Sequence, residues 1–173
     1  MLGHIPQVAK FNNRTGWFMQ GTIDGEPVFA CKHDRLQPRG GEVALIYEVI
    51  LGVPCPPEWA AMSLTRSATP TFNRQGMFRR ATKAISGMAD LELESAEFNR
   101  GWDVKCASKE FALCVLTPEV QALVLQTGVV RWDIGEGVVS CVIPDIPSVL
   151  ERSLPLPLVF KQHAISGLSG VGH

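Results

Sequence analysis

Apolar and polar positions alternate with a period of two over much of the chain, and that alternation governs what can be expected of it. Strand-like text begins at Trp17 and runs Trp17-Phe18-Met19-Gln20-Gly21-Thr22-Ile23 into Asp24-Gly25, then Pro27-Val28-Phe29-Ala30-Cys31-Lys32. Asp-Gly between two such runs predicts a hairpin, because both central positions of a tight turn need positive φ. Gln37-Pro38-Arg39-Gly40-Gly41 forms a turn cluster, and Glu42–Val53 follows as a third strand. Hydrophobicity alone would also allow a helix there. The β-branched Val43, Ile46, Val49 and Ile50, with flanking glycines and prolines, favour the strand. Pro54, Pro56 and Pro57 stop it, and Trp59–Thr65 can supply a shorter fourth strand.

Residues 66–89 break the pattern, apart from a short helix expected over Gln75–Ile85. Leu91-Glu92-Leu93-Glu94 and Trp102-Asp103-Val104-Lys105-Cys106 restore the alternation of half-buried strands; Ser95–Gly101 lies between them, with Gly101 as a bulge or turn. The period then changes. Ser108 can cap a helix over Lys109–Leu116. Thr117-Pro118-Glu119 starts a second: a capping hydroxyl, a proline in the first turn and an acid at the positive end of the dipole. Val120, Leu123 and Val124 share one face of it, and Gly128 suits its end. Val129–Ile134 and Val138–Ile143 flank Gly135-Glu136-Gly137 as a second hairpin. Ser148–Ser153 can form one or two helical turns before Pro155 and Pro157. These elements give an α+β fold: an antiparallel sheet of hairpins with one principal helix and one or two short helices on one face. A single domain over residues 11–160 is expected, with residues 1–10 and 166–173 as flexible tails.

Composition narrows the function classes. Of 173 residues, 46% are hydrophobic and 19% charged, which suits a chain that can bury a continuous core and not a disordered one. The formal net charge of −1 supplies no global field for nucleic acid or acidic lipid, so such binding would need a local patch. The five cysteines (Cys31, Cys55, Cys106, Cys114 and Cys141) are odd in number, widely spaced and set among apolar neighbours, with no CxxC pair. They read as buried reduced thiols, which favours a cytoplasmic setting. The first residues lack the basic and apolar regions of a signal peptide, and no apolar run approaches the roughly 20 residues that span a bilayer. No HExxH, GxSxG, GxxxxGK[ST] or GxGxxG occurs, and neither a cofactor nor a metal is implied.

Two clusters are candidates for a site. Glu94, Ser95, Glu97, Asn99 and Arg100 form the densest polar group. They could be a recognition surface or a carboxylate pair. Alternatively they are a strand-end device, with Ser95 and Asn99 bonding local backbone and Phe98 packing inward. Arg66, Arg74, Arg79, Arg80 and Lys83 form a basic segment interleaved with Phe72, Met77 and Phe78, and no acid lies between Glu58 and Asp90. That segment could bind nucleic acid or anionic membrane, or be a solvated loop facing the acidic run of Asp90, Glu92, Glu94 and Glu97. His33 sits near a strand end, and His4, His163 and His173 fall in expected tails.

Residues 90–127 carry a resemblance. Asp90-Leu91-Glu92-Leu93-Glu94-Ser95-Ala96-Glu97-Phe98-Asn99-Arg100 leads into Trp102-Asp103-Val104, and Phe111-Ala112 into Leu116-Thr117-Pro118-Glu119-Val120. This resembles a widespread uncharacterised domain of actinobacterial proteins, in which Glu-Ser-x-Glu-Phe-Asn-Arg precedes a strand and then a Leu-x-Pro helix. The likeness extends by arrangement over residues 11–145. Many members carry hydrophobic segments ahead of the domain, which implies display at the cytoplasmic face of a membrane; residues 1–10 hold no such segment. The resemblance carries no catalytic residue with it. The leading expectation is a non-enzymatic, cytoplasmic protein-interaction or regulatory module of an actinobacterium or its phage, docking an unknown protein partner through a sheet edge or through Glu94–Arg100. Binding of nucleic acid or anionic membrane through residues 66–83 is the alternative. An unrecognised enzyme is a third reading, and its residues would have to converge in a pocket.

Overall fold

The computed structural model describes residues 15–39, 42–67, 89–91, 93 and 95–170. Eight strands, β1 (Thr15–Ile23), β2 (Glu26–Arg39), β3 (Glu42–Pro54), β4 (Met62–Arg66), β5 (Ala89–Asp90), β6 (Trp102–Cys106), β7 (Arg131–Gly135) and β8 (Val138–Pro144), form one sheet. Their order is β1-β2-β3-β8-β7-β4-β6-β5, and every pairing is antiparallel. Among the described residues five helices accompany them: α1 (Ala96–Gly101), α2 (Lys109–Val115), α3 (Pro118–Gln126), α4 (Pro147–Ser153) and α5 (Leu156–Ser169). The fold is α+β, as the alternation and the change of period imply.

Both expected hairpins form, each closed by two residues in the left-handed region: Asp24 and Gly25 (φ 52° and 81°), and Glu136 and Gly137 (φ 53° and 74°). These are the values of a type I′ turn, whose twist matches that of the strands it joins. The second turn is Glu136-Gly137 alone, because Gly135 pairs with Val138.

Period two decides which side chains meet. Val49, Leu51 and Val53 of β3 face the same side as Cys141 and Ile143 of β8 and Trp132 of β7, and all are buried in one cluster with residues of the helices. Phe98, Val115, Val120, Val124 and Phe160 are the helical contribution, each with no exposed surface. Phe160 stacks on Trp132 with ring centroids 4.7 Å apart, which anchors α5 to the middle of the sheet. Burying each such ring contributes about 1.5–3 kcal/mol. A smaller cluster of Phe29, Cys31, Ile50, Val138 and Val142 occupies the opposite side of β2, β3 and β8.

Several expectations are corrected. The principal helix is α5, of 14 residues, where a tail was expected from Ser166 onward. The short helix expected before Pro155 forms as α4; what was not expected is that Pro155 and Pro157 also open α5, because the first turn has no N–H to lose and the proline φ is already helical. Ser95–Gly101 is a helix with a capping serine, and β5 comprises only Ala89–Asp90; Leu91 and Leu93 are buried without strand pairing. Gln37, Pro38 and Arg39 belong to β2 and pair with Ala44, Val43 and Glu42. Proline is tolerated there because, among the described residues, β2 has no second strand neighbour at that point. The helix expected over 75–85 and the tail expected over 1–10 lie outside the described residues.

Candidate functional site

Within the polar cluster, Ser95, Asn99 and Arg100 bond nearby backbone. The Ser95 hydroxyl accepts a hydrogen bond from the Phe98 N–H at 3.1 Å and caps α1. Asn99 closes a ring with Leu93: its Oδ1 accepts from the Leu93 N–H at 3.0 Å, and its Nδ2 donates to the Leu93 carbonyl at 2.6 Å. Arg100 Nε donates to the Ala96 carbonyl at 3.2 Å. Phe98 between them is fully buried and stacks on Trp102. Glu97 is exposed, and Glu94 lies outside the described residues. The arrangement ties Ser95 and Asn99 to local backbone between β5 and β6.

Of the basic segment, Arg66 alone is described. It stands at the exposed end of β4 with its guanidinium 6.0 Å from the centre of the Trp102 ring. Arg74, Arg79, Arg80 and Lys83 lie outside the described residues.

A shallow groove of about 310 Å³ lies where the start of α3 meets α5, lined by Thr117, Glu119, His163, Ser166 and Gly167. Sequence reasoning placed His163 and Ser166 outside the principal elements; one extra helix brings both to Glu119. The carboxyl of Glu119 is held below its ordinary range by the Thr117 hydroxyl first, then by its own backbone N–H and the nearby His163 charge. Ser166 donates its hydroxyl to the Gln162 carbonyl at 3.1 Å, so that proton is not directed at His163. Gly167 packs so closely on Cys114 and Thr117 that it serves the helix crossing. No group of three or more potential metal ligands occurs among the described residues. Burial raises the thiols of Cys31 and Cys55 to about 11, and those of Cys106 and Cys141 are raised as well, which disfavours the reactive thiolate.

β1 presents an edge of the sheet. β1 ends the sheet, with β2 its only strand partner among the described residues. In a two-residue hairpin the pair flanking the turn exchanges both backbone bonds, and bonded and non-bonded pairs then alternate. From the observed register, Ile23–Glu26, Gly21–Val28 and Met19–Ala30 are the bonded pairs. The N–H and C=O groups of Phe18, Gln20 and Thr22 therefore point away from the sheet. Pro27, which has no N–H, sits opposite Thr22 at a non-bonded position, as this phase requires. The register is interrupted only between Thr15 and Phe18. β1 contains no charged residue and no proline, and Phe18 and Met19 are 39% and 56% exposed. Phe18 stacks on Phe29 on one face of the sheet; Met19 flanks the other.

No protein-family model, curated protein or solved structure matches the chain.

Proposed function

We propose that the chain is a protein-interaction module that takes up an extended segment of a partner protein along β1. The observation that carries this reading is the uncharged, proline-free edge with the backbone groups of Phe18, Gln20 and Thr22 turned outward. Proteins ordinarily blunt such an edge with charge, proline or a covering element, and strand addition is the recognition mode it suits. Main-chain bonds would supply affinity, and apolar partner side chains at alternate positions would meet Phe18 on one face and Met19 on the other. The five cysteines, unpaired and mostly buried, favour a reducing, cytoplasmic setting. The resemblance over residues 90–127 favours an actinobacterial or phage context and a regulatory role.

The test is capture from a native lysate with the wild-type chain, Gln20→Pro and Arg100→Glu. Proline at residue 20 removes an outward N–H and leaves the β1–β2 ladder intact. A partner held in stoichiometric amount by wild type and Arg100→Glu, and lost by Gln20→Pro, is the expected result. Recovery of no partner, or equal retention by Gln20→Pro, overturns the reading.

A further inference from the structure

Gly21 interrupts an apolar row on the helix-bearing side of β1. The register sets Met19, Gly21 and Ile23 opposite Ala30, Val28 and Glu26. Ala30 belongs to the helix-side core, and Val28 and Ile23 pack against it. Met19, in the same row, is 56% exposed. A glycine inside a strand ordinarily answers to a backbone conformation that a side chain forbids, or to a neighbour too close for a Cβ. Neither reason holds within this chain. Gly21 lacks the positive φ of Gly25 and Gly137, and an added Cβ meets nothing within 4 Å. Gly52 shows the contrast, for there the Phe29 ring occupies the place of the Cβ. At Gly21 the place is open, and the apolar side chains on either side of it, Met19 and Ile23, stand about 13 Å apart at ordinary strand rise.

We infer that Gly21 is the specificity position of the β1 edge, and that the protein segment taken up there runs antiparallel and lays an aromatic side chain across it. The inference rests on strand addition at β1 and names the chemistry of the partner. With the backbone groups of Gln20 and Thr22 bonding the incoming strand on either side, Gly21 becomes a non-bonded position. Facing Cα atoms come closest at such positions, to about 4.5 Å, so the facing side chain falls over the glycine. A ring laid there covers the bare backbone, which is how cross-strand aromatics compensate a glycine at a sheet edge. Its rim also meets the Met19 thioether, a favourable sulfur–aromatic contact. Charge selects against an ionic side chain. Lys161 of α5 already pairs with Glu26 at 2.9 Å, and β1 holds no charged residue, so an ion brought to the gap finds no free counter-charge on these elements.

The test uses two fluorescein-labelled peptides, Thr-Val-Thr-Phe-Thr-Val-Thr and the same sequence with leucine at its centre. Each is titrated by fluorescence anisotropy against the wild-type chain, Gly21→Val and Gln20→Pro. Wild type should bind the phenylalanine peptide about three- to tenfold more tightly than the leucine peptide. Gly21→Val should bind the two alike and hold the leucine peptide as wild type does, because valine fills the gap and leaves the outward backbone groups in place. Gln20→Pro should hold neither. Urea unfolding separates this from a damaged fold: Gly21→Val should unfold at a midpoint no lower than wild type, since valine suits a strand better than glycine and its Cβ enters open space. Equal affinity of wild type for the two peptides, or a preference that survives Gly21→Val, overturns the inference and leaves strand addition standing. A lowered midpoint for Gly21→Val overturns it as well, by showing that the gap is filled from within the chain. If wild type binds neither peptide, or Gln20→Pro binds both as wild type does, strand addition falls and the inference falls with it.

Discussion

Replacing Gly167 by alanine tests the placement of α5 more directly than any deletion of a core side chain. Alanine is favoured over glycine inside a helix by about 1 kcal/mol, so propensity alone makes the variant more stable. The tertiary setting opposes this. A Cβ on residue 167 overlaps the Cys114 carbonyl oxygen and comes within 2.9 Å of Thr117 Cγ2. The threonine methyl could yield by a small rotation, but the carbonyl is main chain at the end of α2 and moves only if the helix crossing opens. Overpacking of this kind costs about 1–3 kcal/mol, and backbone obstacles lie at the upper end. Set against the propensity gain, the net loss is about 1–2 kcal/mol, or roughly 2–8 °C in Tm for a domain of this size. Gly170→Ala is the matched control. It sits at the C-cap with φ −73°, and an added Cβ meets nothing nearer than 3.7 Å. That substitution should stabilise by about 0.4–1 kcal/mol through the unfolded chain. Urea unfolding followed by tryptophan fluorescence is the assay, because the Trp132–Phe160 stack makes the signal report docking of α5. Opposite signs at residues 167 and 170 are expected. If Gly167→Ala is as stable as wild type or more so, α5 does not cross the α2–α3 junction at this distance, and the groove beside Glu119 is misplaced with it.

Other consequences follow from the same contacts. Ser95→Ala should lose about 1 kcal/mol of stability, as loss of an N-cap does. Asn99→Asp should lose about 1–3 kcal/mol, because it keeps the acceptor for the Leu93 N–H but turns an oxygen toward the Leu93 carbonyl; denaturant melts check both, and neither should alter partner capture. Iodoacetamide at neutral pH should modify Cys114, which is half-buried, ahead of the four buried thiols, as peptide mass mapping would report. The thiol contribution to stability should be constant from neutral pH to about pH 9 and fall between about pH 9 and 11, since Cys31 and Cys55 stay protonated in the fold to about 11 while the unfolded thiols ionise near 9.0. Thermal melts of wild type and Cys31→Ala across that range measure it, and identical alkaline slopes would remove Cys31 from the cause.

The hairpins, β3 and the start of α3 were legible because each rests on a local rule: Asp-Gly and Glu-Gly supply positive φ, β-branching resolves Glu42–Val53, and Thr117-Pro118-Glu119 writes a helix N-terminus. α5 was not, for a reason visible in its text. Leu-Pro-Leu-Pro at 154–157 and the glycines at 167 and 170 read as breakers, yet the prolines fall where a helix has no bond to lose. Gly167 is required by a crossing that only the tertiary structure reveals. The same dependence on distant packing hid the meeting of Glu119 with His163. The polar cluster was legible as a group of residues, and its local explanation lay in their types: serine and asparagine beside a turn bond backbone first.

What local rules could not supply was the position of β1 in the sheet. The first strand of a hairpin is interior or edge according to whether some remote strand comes to lie beside it. Its own sequence argues for the interior: Trp17 to Ile23 holds no charge and no proline, and a run of that kind is normally paired on both sides. The order of strands argues the opposite, since β8 joins β3 and all growth of the sheet proceeds away from β1. A strand written for two neighbours and given one is a disagreement between local and global levels, and such disagreements concentrate where a protein has something to bind. A second stretch shows the same disagreement: Val43, Leu45 and Tyr47 keep the apolar phase of Val49 and Leu51 but stand at exposed positions.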